Sequence, residues 1–118
     1  MKPQKRGPEG AAWPGFVVRH ADDKGLAASH REVCQSQGRP TIELVVRDRE
    51  SAEILVDLST QTRPPDAKNL RALRALEREI GMADGKSLSR EKAKVFGPFP
   101  MRNAMEILHR VLSATFDD

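Results

Sequence analysis

Thr41-Ile42-Glu43-Leu44-Val45-Val46, the link Arg47-Asp48-Arg49-Glu50-Ser51, and Ala52-Glu53-Ile54-Leu55-Val56-Asp57-Leu58 form the stretch that decides the fold. Both arms alternate with a period of two, which in an extended chain sends successive side chains to opposite faces. Ile42, Leu44 and Val46 share one face of the first arm, and Ile54, Val56 and Leu58 share one face of the second. The short polar link makes the pair an antiparallel hairpin with one buried face. Val45 and Leu55 point the other way, so the second face is not wholly polar.

Downstream, Arg63-Pro64-Pro65-Asp66 ends the extended run, and Asp66 is placed to cap a helix over 67–82. Leu70, Leu73, Leu76 and Ile80 give that helix an apolar stripe flanked by Ala72 and Ala75, with Gly81 or Gly85 as its stop. Polar residues 83–92 read as loop and residues 93–96 as a short strand. Gly97-Pro98-Phe99-Pro100 reads as a rigid structural turn, and 101–115 as a last helix with Ala104, Ile107, Leu108, Val111 and Leu112 facing the core.

Upstream, residues 15–20 read as a strand, and Asp22 or Asp23 as the cap of a helix over 24–37 that stops at Gly38. Its expected inner stripe is Leu26, Ser29/His30, Val33 and Gln37, with Cys34 beside it. The order β-α-β-β-α-β-α defines an α+β domain over 13–118, with an open, mostly antiparallel sheet and its helices on one face. The first six elements suit a ferredoxin-like split βαβ arrangement, the alternative being an open α+β sandwich of different strand order. Residues 1–12, rich in Pro, Gly and charge, are expected to form a flexible basic tail.

Aromatic residues make up only 4% of the chain and Tyr is absent, so the core must be aliphatic. Lys2, Lys5, Arg6 and Arg19 against Glu9 give the first twenty residues the whole net charge of +3, and the remainder is neutral. A fold that coats itself on nucleic acid would carry its excess charge on an ordered face. Cys34 is the single cysteine, so no intramolecular disulfide forms. The first residues are basic with no apolar stretch after them, and no apolar run approaches a bilayer span. A cytoplasmic protein with no membrane partner is expected.

Catalytic constellations are sparse. His30 and Cys34 lie four apart on one predicted helix, but a thiolate pair needs an orienting third group. His20, His30 and His109 have no metal-ligand spacing, and Asp22 and Asp23 beside His20 suit a helix cap better than a metal. Gly81-Met82-Ala83-Asp84-Gly85-Lys86-Ser87 imitates the end of a phosphate loop but is one residue short and follows a helix. No cofactor is expected. Arg71, Arg74 and Arg78 form a row on the 67–82 helix, which suits either phosphates or an acidic protein, and Glu77 and Glu79 interrupt it.

Lys94-Val95-Phe96-Gly97-Pro98-Phe99-Pro100 and the helix with Ala104, Ile107, Leu108 and Phe116 resemble the strand–Gly-Pro-Phe–helix segment of the excinuclease C family. The likeness covers residues 92–116 and carries no catalytic residue, since the GIY-YIG motif of those nucleases needs tyrosine. The same segment is similar to the end of SPOR domains, where V-x-V-G-P-F precedes a helix. That likeness implies a ferredoxin-like sheet and binding of peptidoglycan glycan strands.

The expected function is a small non-enzymatic binding or regulatory module acting on a protein partner. The alternative is a nucleic-acid-associated protein contacting phosphates through Lys2, Lys5, Arg6, Arg71, Arg74 and Arg78. Self-association is compatible with either.

Overall fold

The computed structural model describes residues 16–89 and 91–116, so the expected tail over 1–12 lies outside the described residues. The elements are β1 (Val17–His20), α1 (Lys24–Gln37), β2 (Thr41–Val46), β3 (Ser51–Asp57), a 3-10 turn (Leu58–Thr60), α2 (Ala67–Asp84), β4 (Lys94–Pro100) and α3 (Met101–Phe116). The predicted hairpin is β2–β3, paired antiparallel from Thr41 opposite Asp57 to Val46 opposite Ala52. Asp48 closes its turn: Oδ1 accepts the Glu50 and Ser51 amides at 2.8 and 2.9 Å. The helix caps are Asp23 and Gly38 for α1, and Asp66 and Gly85 for α2.

The strands lie in the order β1-β2-β3-β4. The ferredoxin-like expectation is corrected here. A split βαβ unit leaves room for another strand between its two parallel strands, whereas β1 pairs directly with β2 in parallel. The sheet remains mostly antiparallel, because β2–β3 and β3–β4 are both antiparallel.

The helices do not share one face either. Ile42, Leu44, Ile54, Val56 and Phe96 pack with Ala72, Leu76 and Ile80 of α2 and with Ala104, Leu108 and Val111 of α3 in one buried core. α1 packs against β1, β2 and the 3-10 turn. It meets the side chains of Thr41 and Asp57, which project from the other face. A parallel β1–α1–β2 crossover must place its helix on one face, and α2 with α3 already fills the opposite one.

The expected turn at Gly97-Pro98-Phe99-Pro100 is the second half of β4. Ile54 pairs with Phe96 and Ala52 with Phe99, so two steps along β3 match three along β4, with a register shift between them. That extra residue is a β-bulge. Without it, side chains three apart would face opposite ways; with it, Phe96 and Phe99 both enter the core. Gly97 supplies the bulge with φ +108°, and the Gly97–Pro98 peptide is cis. The Gly97 amide donates to Asp84 Oδ2 at 3.0 Å, tying the bulge to the end of α2.

A Cβ on Gly97 would lie 2.9 Å from the Phe99 backbone nitrogen, while one on Gly25 in α1 would meet nothing within 4 Å. Gly97→Ala should therefore lower unfolding free energy by about 1–3 kcal/mol. Gly25→Ala should leave it unchanged or raise it by roughly 0.5 kcal/mol. Urea denaturation midpoints at constant m-value check both.

Candidate functional site

The face of the sheet towards α1 carries buried polar groups as well as Val45. Glu43 and Asp57 are 2% and 1% exposed. Each meets a guanidinium: Arg19 Nε lies 2.8 Å from Glu43 Oε1, and Arg31 pairs with Asp57 Oδ2. Buried carboxylates are tolerated only when paired and hydrogen-bonded, and these pairs fix β1 and α1 over the hairpin. The expected inner stripe of α1 is accordingly rotated. Leu26 and Val33 are exposed, while Cys34 is the buried residue and Ala27 and His30 are half-buried. The sheet presents acids and hydroxyls to this helix, so its inner side is the one carrying Arg31, His30 and Cys34.

His30 Nε2 sits 3.6 Å from Cys34 Sγ. The hydrogen bond with Cys34 holds the His30 imidazole above its ordinary value; burial opposes this, and the charges of Cys34 and Glu43 assist it. Burial pushes the Cys34 thiol up, but the bond and charge of His30, with help from Thr41 and Arg39, leave it below its ordinary value. A depression of about 280 Å³ over this face is lined by Arg19, Ala28, Arg31, Thr41, Glu43 and Leu55 among others, and by neither His30 nor Cys34. Among the described residues, no three His, Cys, Asp or Glu side chains converge as a metal site.

The predicted arginine row is broken up. Arg71 Nε donates to the Ala114 carbonyl at 3.4 Å, so this guanidinium ties α2 to α3. Arg78 is exposed, 3.7 Å from Glu79, and Glu79 in turn pairs with Arg110 of α3 at 3.2 Å. Arg74 is exposed and lines a groove of about 420 Å³ together with Leu58, Leu70, Leu73, Glu77 and Leu88. Lys2, Lys5 and Arg6 lie outside the described residues, and Gly97, Pro98 and Phe99 form the bulge.

At Gln61 and Pro65 this groove meets a smaller notch that includes Arg39, Arg63 and Asn69. Arg39 and Arg63 belong to no arginine row in the sequence. One signal was present: each precedes a proline, Arg39-Pro40 and Arg63-Pro64, which disfavours helix at the arginine and fixes an extended connection. No helix among the described residues is long and apolar enough to cross a membrane. Comparison with protein-family models, with curated proteins and with solved structures yields no match.

Because the fold favours the protonated imidazole, the stabilisation from His30 is complete below its ordinary value of 6.5 and is lost as pH rises through the higher folded value. An NMR titration of His30 should give a midpoint above 6.5 in the parent protein. Cys34→Ala keeps the burial and removes the hydrogen bond, so the midpoint should fall. An unchanged midpoint would show that Cys34 does not hold the proton.

Proposed function

We propose that the chain is a non-enzymatic binding module whose groove beside α2 takes an aliphatic, acid-bearing segment of a partner protein. The observation that carries this reading is the groove itself. Leu58, Leu70, Leu73 and Leu88 wall it, and Leu70 stays 38% exposed at its mouth. Arg74 on the same wall has no ion pair among the described residues, and Glu77 is the one carboxylate lining the groove. With Arg39 and Arg63 at the adjoining end, the cations outnumber the acids, so charge complementarity favours an occupant bearing carboxylates. Aliphatic side chains suit the leucine walls, and burying them supplies the larger part of the affinity.

Nucleic acid fits less well. Stacking needs exposed aromatic rings, and of the described aromatic side chains Phe96 and Phe99 are buried and Phe16 packs partly buried against the core. Arg71, one third of the predicted phosphate row, is engaged with α3.

The probes are a fluorescein-labelled peptide of leucine and glutamate, its leucine–lysine counterpart, and a labelled oligonucleotide in single- and double-stranded form. Fluorescence anisotropy should show saturable binding of the glutamate peptide. Arg74→Glu and Leu70→Ser should each weaken it roughly tenfold, with circular dichroism unchanged. Equal binding of the lysine peptide, failure of both peptides, or tight salt-sensitive retention of the oligonucleotide would overturn the reading.

A further inference from the structure

The connection after α1 and the connection after the 3-10 turn are laced together. The Gly38 carbonyl accepts the amides of Thr62 and Arg63 at 3.0 and 3.2 Å. Between the two connections lies a notch of about 50 Å³ whose polar walls are Arg39, Arg63, Gln37, Gln61 and Asn69. That volume holds one small ionic group and little more. All five side chains can donate hydrogen bonds, and no Asp or Glu lines the notch.

Arg39 supplies the decisive detail. Its Nε is buried and has no hydrogen-bond partner. A buried N–H on a charged group left without an acceptor costs on the order of 1–3 kcal/mol or more, and native structures rarely tolerate it. Neither Arg39 nor Arg63 is ion-paired among the described residues, although Arg19, Arg31, Arg47 and Arg110 all are. The carboxylate nearest to Arg63 in sequence, Asp66, already accepts the Asn69 amide through Oδ1 at 2.8 Å as the cap of α2.

We infer that the notch is an oxyanion site, in which one carboxylate or phosphate group is held between the guanidinium groups of Arg39 and Arg63. Guanidinium groups match such oxygens in charge and in planar donor geometry. The site does not depend on the peptide reading of the groove. A free phosphate or a carboxylate of a bound partner would use the same donors.

Arginine Nε–Hε resonances in a ¹H–¹⁵N spectrum test the site while the protein is titrated separately with sodium phosphate and sodium acetate at constant ionic strength. The Arg39 signal should shift saturably with at least one of the two anions, at roughly millimolar concentration, while exposed Arg49 and Arg102 drift linearly. Saturation by phosphate alone would identify a phosphate site, and saturation by acetate a carboxylate site. Arg63→Gln, at an exposed position, should raise the half-saturating concentration about tenfold without altering the rest of the spectrum. Linear drift of Arg39 with both anions, or an unaltered half-saturation in Arg63→Gln, would overturn the inference. Failure of the leucine–glutamate peptide to bind would leave it standing.

Discussion

The Thr60 hydroxyl, in a residue 1% exposed, is within hydrogen-bonding distance of three oxygens: the Arg39 carbonyl at 2.8 Å, the Thr41 hydroxyl at 3.0 Å and the Asp57 carbonyl at 3.2 Å. Carbonyls only accept, so the single Thr60 proton goes to a carbonyl, the nearer being that of Arg39. This arrangement binds the chain leaving α1 to the chain leaving β3. Gly38 completes it with φ +69°, and a Cβ there would lie 2.6 Å from Thr62 Oγ1. Arg39, Gln61, Arg63 and Pro65 take their places from this crossing, so the notch and the near end of the groove depend on it.

The pleat of the hairpin divides the molecule into two unlike halves. One face carries Ile42, Leu44, Ile54 and Val56 into a dry core closed by α2 and α3. The other carries Thr41, Glu43 and Asp57 towards α1, where arginines from β1 and α1 neutralise the two acids. Asp57 also accepts the Ser59 amide at 3.0 Å, which starts the 3-10 turn leading to Thr60. Removing Arg19 would leave the buried Glu43 carboxylate without its cation, a cost of about 3–5 kcal/mol, whereas Arg31 is half exposed and Asp57 keeps its bonds from Ser59. The two pairs are therefore a matter of placement: they decide where β1 and α1 sit, while the aliphatic face supplies most of the stability.

Much of this was legible in the sequence, because it is local. Period-two alternation over 41–58 marked the hairpin, and capping chemistry marked Gly38 and Asp66 and narrowed the other helix ends to Asp22 or Asp23 and Gly81 or Gly85, of which the fold uses Asp23 and Gly85. What was not legible depends on partners distant in the chain. The inner side of α1 faces Asp57, twenty-six residues away from Arg31, so an apolar stripe through Leu26 and Val33 was the wrong guide. Gly97-Pro98-Phe99 read as a turn because Gly and Pro favour turns; only pairing with β3 shows that it is a bulge inside a strand. The arginine row was visible by spacing, yet α3 claims Arg71, and that contact spans forty-three residues. The notch escaped because its two guanidiniums come from separate connections that only the fold brings together.

The central claim is that the Thr60 crossing is a local clasp that organises the binding surface and is separate from the α2–α3 core. Native-state hydrogen exchange of Thr60→Val tests it most directly, since valine keeps the shape and removes the hydroxyl. The amides of Thr62 and Arg63, which donate to Gly38, should exchange roughly tenfold faster or more, as expected for the loss of a buried hydrogen bond of about 1.4 kcal/mol. The buried amides of α2 and α3 should keep their protection relative to one another. Unchanged protection at Thr62 and Arg63, or an equal loss throughout the domain, would contradict the claim.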